Sequence, residues 1–135
     1  MDSNDDVLAV CKALLADAQL DEAERQLLMP VDCADNRLVS EVVGLVRAGH
    51  DPLGDAFIRA NGARERRATG SVYTPSELVD SMVRWSAEQA SPARVVDCGC
   101  GSGRFALAAA RAFPHARIIA IDVSPMATLM CKANA

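Results

Sequence analysis

The chain has 135 residues, half of them apolar, and its 18 acidic residues outnumber its 14 basic ones. This length and composition predict one small folded domain and exclude disorder as the main state. No apolar stretch approaches the ~18 residues that a membrane span needs, and the acidic start MDSNDD differs from a signal peptide. We therefore expect a soluble, cytoplasmic protein without membrane contacts.

The first 50 residues have the apolar spacing of helices. Residues 5–29 place an apolar residue every three or four positions, with a predicted break at 18–21. Residues 37–48 repeat this spacing, and the Gly49–Pro52 stretch ends it. The sequence thus predicts a helical N-terminal segment over residues 1–50.

Residues 51–75 have the composition of a connector, with one turn of helix predicted around Asp55–Ala60. Within this connector, a stretch of nine residues contains four arginines: Arg59, Arg64, Arg66 and Arg67. Such a run can contact phosphate, but it is more often a solvated face or a helix end. From Ser76 the apolar spacing again predicts a helix, in which Trp85 is expected to lie in the core.

From Ser91 onward the pattern changes to alternating strands and helices. The predicted order is strand 93–97, glycine loop 98–103, helix 104–113, strand 116–122 and helix 124–135. Ser124 and Pro125 have the residue types of a helix cap and of a first helical position. This order is a βαβ unit, so the predicted fold class is α/β with a parallel sheet.

Two strands are too few to complete such a sheet. A parallel sheet needs several strands with helices over both faces, and a two-stranded sheet alone is marginally stable. The sequence therefore predicts either the front part of a longer enzyme or a chain that needs a partner subunit to complete its sheet. The first interpretation is favoured.

The most informative residues are the loop DCGCGSG at 97–103 and Asp122 at the end of the second predicted strand. Glycines at such a turn let a ligand approach the backbone, and the following helix directs its N–H groups towards that ligand. Asp122 follows Gly103 by 19 residues, a separation typical of an acid that accepts the hydroxyls of a ribose. A dinucleotide fingerprint is excluded, because its third glycine would fall on Arg104 or Ala106.

The pattern D-x-G-x-G-x-G resembles motif I of class I S-adenosylmethionine-dependent methyltransferases. The resemblance implies S-adenosyl-L-methionine as cofactor and a Rossmann-like fold, with its sheet beginning in residues 76–135 after an α-helical segment. It also implies that Asp97 faces the cationic methionine end of the cofactor and that Asp122 binds the ribose. The further cofactor-binding residues in this stretch would be Gly99, Gly101, Gly103, Phe105 and Val123.

The segment GSVYTP, which ends at Pro75, and the sequence Cys100–Phe105 carry a second resemblance. They are similar to motif X and to the C-G-S-G-x-F loop of adenine-N6 DNA methyltransferases, of the type I modification and fused restriction–modification kinds. The resemblance covers residues 59–135 and implies that Tyr73, Thr74 and Pro75 wrap the methionine end of the cofactor. On general grounds, a lone tyrosine is more often a packing residue, and the ring of the loop's phenylalanine is also expected in the core.

Two features differ from that family's pattern. The family has proline after the aspartate of the loop, where Cys98 and Gly99 stand here, and its [DN]-P-P-[YF] motif is absent because no two prolines are adjacent. That motif holds the flipped adenine, so no residue of this chain is predicted to be catalytic. No metal site is predicted, because the five cysteines are irregularly spaced and do not form a zinc set.

The function that the resemblance implies is methyl transfer from S-adenosylmethionine to adenine N6 in DNA. DNA would be bound through parts outside this chain, and the chain alone is expected to be inactive. One alternative keeps the cofactor but changes the methyl acceptor to protein, RNA or a small molecule. Another alternative is a non-catalytic module whose helical front binds a partner subunit.

Overall fold

The computed structural model of the protein describes residues 1–61 and 73–135. The described elements are α1 (Asn4–Leu14), α2 (Glu22–Leu28), α3 (Asn36–Arg47), α4 (Pro52–Ala60), α5 (Ser76–Gln89), β1 (Arg94–Cys98), α6 (Arg104–Ala112), β2 (Arg117–Ile121) and α7 (Pro125–Ala133). This order confirms the expected α/β arrangement, with helices first and strands alternating with helices afterwards. No helix within these ranges is long and apolar enough to cross a membrane. The first three residues of GSVYTP and three of the clustered arginines lie outside the described residues: Arg64, Arg66 and Arg67.

Side-chain caps explain where the first two helices begin. The side chains of Ser3 and Asp21 each accept a hydrogen bond from the N–H of the third residue of the helix, which is Asp6 in α1 and Glu24 in α2. The carboxylate of that third residue in turn accepts a hydrogen bond from the backbone N–H of the cap residue. These reciprocal bonds are capping boxes, which satisfy backbone donors that a helix leaves unpaired at its start. The predicted break in the first helical stretch is confirmed, because residues 15–21 separate α1 from α2.

The fourth helix begins earlier than the sequence indicated. The prediction of a single turn at Asp55–Ala60 is wrong in its extent, because α4 covers Pro52–Ala60. The Asp51 side chain accepts a hydrogen bond from the N–H of Gly54, and Pro52 occupies the first helical position, where an N–H has no helical partner. The Asp-Pro pair therefore starts a new helix soon after α3 ends.

The hydrophobic core joins the N-terminal helices to the last helix. Its buried members are Val7, Leu8, Val10, Cys11, Leu15, Leu28, Val42, Leu53, Ala56, Leu129 and Met130. Leu129 and Met130 lie on α7, which follows β2, whereas the other members lie in the first 56 residues. The helical segment and the strand–helix unit therefore share one core, so a change in one part is transmitted to the other.

The two strands form a parallel sheet of the kind that the sequence predicts. Their register runs from Arg94 opposite Arg117 to Cys98 opposite Ile121. The crossover between them contains α6, against which α5 packs. The side chains of Val96 and Ile121 are each 51% exposed, so part of this small sheet faces solvent in the described structure.

The expectation that Trp85 lies in the core is wrong, since its side chain is 64% exposed. Leu78 and Met82 lie on the same stripe of α5, at spacings of four and three residues, and they are also exposed. The helix packs against α6 and buries Val79 instead. Apolar spacing identifies a helix face, but it does not tell what covers that face.

A buried carboxylate, Glu24, connects α2 with α7. Its Oε2 accepts a hydrogen bond from Lys132 Nζ at 2.6 Å, and its Oε1 accepts one from Thr128 Oγ1 at 2.8 Å. Burial acts to raise the pKa of Glu24, but the hydrogen bonds from Lys132, from the N–H of Asp21 and from Thr128 outweigh it, so the pKa is lowered. Glu24 thus serves both as the capping-box residue of α2 and as the anchor of α7.

We expect Glu24→Gln to lower the free energy of unfolding by about 1–3 kcal/mol near neutral pH, because a buried charged acceptor is lost. Since the folded-state pKa is depressed, the contribution of Glu24 is complete above the ordinary Glu pKa of 4.5 and is lost as the pH falls below it. Urea unfolding of both proteins on either side of that pH measures the difference.

The matched control for this change is Glu22→Gln on the same helix. Glu22 is 72% exposed and forms a surface ion pair with Arg25, so its loss should change the unfolding free energy by less than about 0.5 kcal/mol. A cost of Glu24→Gln that stays the same in acid would contradict the assigned role of the ionised carboxylate.

Candidate functional site

A cavity of about 680 Å³ opens at the carboxyl ends of β1 and β2, the position at which parallel α/β sheets bind ligands. Small-molecule sites are typically about 300–1,000 Å³, so its size suits a nucleoside-sized ligand. Eight of the residues singled out in the sequence line it: Tyr73, Thr74, Asp97, Gly99, Gly101, Phe105, Asp122 and Val123. Pro75 and Gly103 do not line it but stand at the starts of α5 and α6.

Three glycines of the loop have backbone angles that other residues rarely adopt. The φ angles are 81° at Gly99, 55° at Gly101 and 94° at Gly103. A Cβ atom at Gly103 would lie 2.7 Å from Cys131 Sγ, whereas a Cβ at Gly99 would meet nothing within 4 Å. Gly103 therefore lets the start of α6 pack against α7, and Gly99 leaves open space beside the loop.

Three backbone N–H groups of the loop donate to acceptors at the end of β2. Gly99 and Cys100 donate to the carbonyl oxygen of Ile121 at 2.7 and 3.0 Å, and Gly101 donates to Asp122 Oδ2 at 2.9 Å. These bonds fasten the loop to the end of β2. They also engage the donors that a phosphate-binding loop would direct at its ligand, so the loop is poorly suited to a pyrophosphate.

Two carboxylates lie in the wall of the cavity. Asp97 Oδ2 accepts a hydrogen bond from the N–H of Ala106 at 3.0 Å, and Asp122 accepts one from each of Gly101 and Ser124 at 2.9 Å. Burial raises the pKa of Asp97, the bond from Ala106 opposes that rise, and the charge of Asp122 adds to it. Both carboxylates keep acceptor capacity, so the cavity favours a ligand with positive charge and hydroxyl groups.

Tyr73 forms an aromatic wall beside the glycine loop. Its ring centroid lies 6.2 Å from that of Phe57, with the planes tilted by 46°. A Cβ built on Gly101 would lie 3.8 Å from the nearest ring atom, so the ring packs against the loop itself. The two interpretations of Tyr73 are compatible, since the ring packs on its neighbours and also lines the cavity.

Arg104 is a residue of this site that the sequence analysis missed, except as a departure from the dinucleotide fingerprint. Its Nε donates to Asp51 at 2.7 Å, another guanidinium nitrogen donates to the carbonyl oxygen of Thr74 at 2.9 Å, and a third pairs with Asp55. The available sequence signal was an arginine at the first position of a predicted helix. A cation is unfavourable there, because the helix dipole places positive charge at that end.

The side chains that line the cavity fit S-adenosylmethionine better than a metal ion or a phosphate. The cofactor carries cationic groups, ribose hydroxyls and an aromatic base, which match two carboxylates and aromatic walls. Within residues 1–61 and 73–135, no three His, Cys, Asp or Glu side chains are grouped so that they could hold a metal ion. Burial raises the pKa of the Cys100 thiol beside the loop to about 12, so this side chain stays neutral near pH 7.

Comparison with known proteins gives one family and several relatives. Residues 95–135 match a family described as a methyltransferase domain. Over 137 aligned residues the chain is 42% identical to the type II methyltransferase M.XamI of Xanthomonas campestris pv. amaranthicola. This alignment covers 99% of this chain and 26% of that protein. Over 117 residues the chain is 33% identical to a release factor glutamine methyltransferase of Mycolicibacterium smegmatis. This alignment covers 83% of this chain and 42% of that protein. No solved structure matches the chain.

A shorter match of 44 residues, 43% identical, is to a tRNA1(Val) (adenine(37)-N6)-methyltransferase of Vibrio cholerae and covers 33% of this chain and 18% of that protein. The chain spans about a quarter of the length of M.XamI and less than half of the release factor enzyme. The family match begins in β1 and includes the glycine loop, α6, β2 and all of α7. Residues 95–135 thus have the sequence of a methyltransferase domain, and nearly the whole chain is similar to part of a type II methyltransferase.

Proposed function

We propose that this chain is the S-adenosylmethionine-binding part of a methyltransferase that acts on adenine N6 in DNA. The observation that carries the proposal is the placement of Asp97, Asp122 and Tyr73 around one cavity beside a glycine loop. The two carboxylates give this cavity a negative character, which suits a cofactor whose methionine end and sulfur are cationic. The engaged N–H groups of the loop argue against a pyrophosphate-containing cofactor.

The roles proposed for these residues combine their positions at the cavity with the resemblance to motif I. Asp97 accepts hydrogen bonds from the ammonium group of the methionine end, and Asp122 accepts them from the ribose hydroxyls. Tyr73 and Phe105 form aromatic walls that keep water from the ligand. When bound, the cofactor supplies an electrophilic methyl group on its sulfonium sulfur. The contribution of this chain is to hold and orient that group, so its effect is positioning and electrostatics.

The names of the relatives support a nitrogen acceptor. One of them methylates adenine N6 in a tRNA and another methylates glutamine in release factors. Both acceptors carry an NH₂ group on a trigonal carbon. We propose DNA as the substrate, because the match to M.XamI includes α1 to α4 and covers 99% of this chain. A protein or RNA acceptor is the second candidate, which the release factor and tRNA relatives favour.

Calorimetric titration of the chain with S-adenosylmethionine, S-adenosylhomocysteine and NAD⁺ tests the cofactor. We expect the first two to bind and NAD⁺ not to bind. Asp97→Asn should weaken binding about tenfold, the effect of a charge-assisted hydrogen bond. Because the pKa of Asp97 is raised above the ordinary Asp value of 3.8, this carboxylate becomes protonated before the pH has fallen to that value. The wild-type affinity should therefore begin to fall above pH 3.8, and the Asp97→Asn variant should lack this fall.

Glu88→Gln on α5 removes an exposed carboxylate and is the matched control, which should bind like the wild type. Binding of NAD⁺ in preference to S-adenosylmethionine would refute the proposed cofactor. Equal affinity and equal pH dependence in Asp97→Asn would refute the role of Asp97 while leaving the cofactor in place.

The acceptor is tested with the product of the whole reading frame, expressed in a host that lacks its own DNA adenine methylation. We expect N6-methyladenine at a recurring sequence in the host DNA, detected by long-read sequencing, and none with the Asp97→Ala variant. Mass spectrometry of release factors and tRNA from the same cells distinguishes the second candidate. Methylation of either, with unmodified DNA, would overturn the DNA assignment.

A further inference from the structure

We propose that Arg104 and Asp51 are positioning residues that hold the Tyr73–Thr74 segment beside the glycine loop. Through this pair, the N-terminal helices take part in shaping the cofactor cavity. The inference rests on the proposed function for the identity of the ligand, whereas the placement of Tyr73 can be measured without any ligand.

Arg104 contacts three separate parts of the chain. It is the first residue of α6, directly after the glycine loop, and its guanidinium donates to the Thr74 carbonyl oxygen at 2.9 Å. The same group pairs with Asp51 and Asp55, which belong to the start of α4. Its Cζ lies 5.6 Å from the ring centroid of Tyr73, within the range of a cation–π contact. One side chain thus connects α4, the loop and the segment before α5.

Asp51 fixes the orientation of that guanidinium. Its Oδ2 accepts from Arg104 Nε and from Ser102 Oγ, and its Oδ1 accepts from the Gly54 N–H at 2.8 Å and from Asn134 Nδ2 at 2.9 Å. Four donors occupy the roughly four lone-pair sites of one carboxylate, so Asp51 has one well-determined position. Two of these donors, Ser102 and Arg104, belong to the loop and to the helix that follows it.

The energetic setting of this pair indicates a role beyond stability. The Arg104 side chain is 15% exposed and that of Asp51 is 11% exposed, so both charges are largely removed from water. Desolvation offsets much of the attraction in such a pair, and the arginine also stands at the positive end of a helix. A buried pair of this kind imposes one geometry whatever its net contribution to stability, and here it is the geometry of the cavity wall.

The chain contains a single tyrosine, so 3-fluorotyrosine labelling gives one ¹⁹F resonance, from Tyr73. We expect a resolved, shifted resonance in the wild-type chain without ligand. In Arg104→Met and in Asp51→Asn it should move towards the position of free fluorotyrosine. Arg104→Lys keeps the charge for Asp51 but loses the flat group beside the ring, so it should shift the resonance while unfolding near the wild-type temperature.

Titration of the same samples with S-adenosylhomocysteine gives the second readout. The affinity should fall about tenfold or more in Arg104→Lys, because a charge-assisted hydrogen bond to the Thr74 carbonyl is lost. Arg25→Met, which removes an exposed arginine of α2, is the control and should change neither the resonance nor the affinity. Circular dichroism of each variant identifies any that fails to fold, and Arg104→Lys then carries the test.

The outcomes separate this inference from the proposed function. A ¹⁹F resonance that is unchanged in Arg104→Lys and in Asp51→Asn would overturn the positioning role, even if S-adenosylhomocysteine binds. A resonance that moves as expected, in a chain that does not bind S-adenosylhomocysteine, would support the positioning role and refute the proposed cofactor. Equal ligand affinity with a shifted resonance would also overturn the inference, since the position of Tyr73 would then not matter to the site.

Discussion

Gly103→Ala is expected to abolish cofactor binding and to lower the free energy of unfolding by about 2–4 kcal/mol. Two separate costs add up at this position. An alanine is strained at the φ angle of 94°, and its Cβ would lie 2.7 Å from Cys131 Sγ and 3.4 Å from the Cys131 backbone. Relief requires the start of α6 to move away from α7, which would displace the loop that lines the cavity. Urea unfolding and calorimetric titration with S-adenosylhomocysteine measure the two effects.

Gly49→Ala separates the backbone cost from the collision. Gly49 has a φ angle of 89°, but a Cβ built there meets nothing within 4 Å, and the residue does not line the large cavity. This control should cost about 1–2 kcal/mol of stability and leave the affinity unchanged. The double variant Gly103→Ala with Cys131→Ala should recover part of the lost stability, because the Sγ atom is gone. Equal costs at the two glycines would show that α7 does not restrict the loop.

The elements that the sequence predicts correctly are those whose positions depend on neighbouring residues in the chain. Ser124 caps α7 and Pro125 takes its first position, as their residue types indicate. The strand–loop–helix order around the glycines also follows from local spacing, within one residue at most boundaries. The acid at the end of β2 could be predicted to lie beside the loop because both strands end at the same edge of a parallel sheet. Its role in ribose binding stays a prediction.

The contacts that local patterns do not reveal are those between distant residues. Asp51 lies 53 positions before Arg104, and Glu24 lies 108 positions before Lys132, yet both pairs are close in the fold. In the sequence, Asp51 belonged to the stretch that was predicted to end a helix, and no contact was predicted for Glu24. The exposure of Trp85 has the same origin, since spacing along α5 carries no information about the elements that pack on it.

These distant contacts change the meaning of the N-terminal helices. They share a core with α7, bind its side chains through Glu24 and orient Arg104 through Asp51. The N-terminal helices are therefore packed together with the strand–helix unit and do not form a separate core.

Gly54→Ala is expected to lower the free energy of unfolding by about 2 kcal/mol, although alanine is normally the better helix former. A Cβ built on Gly54 would collide with the Asp51 carboxylate and with Ser102 Oγ, and it would lie 2.7 Å from Asp51 Cγ. Since Asp51 is held by four donors, it cannot turn away without breaking bonds to the loop and to α6. We therefore also expect the affinity for S-adenosylhomocysteine to fall about tenfold, the effect of losing one charge-assisted bond.

Gly44→Ala on α3 is the matched control, because it is the same substitution inside a helix where the new Cβ meets nothing within 4 Å. It should raise the free energy of unfolding by about 0.5–1 kcal/mol and leave the affinity unchanged. The same substitution is thus expected to lower the free energy of unfolding at Gly54 and to raise it at Gly44. If Gly54→Ala were as stabilising as Gly44→Ala, the close approach of α4 to Asp51 and Ser102 would be refuted.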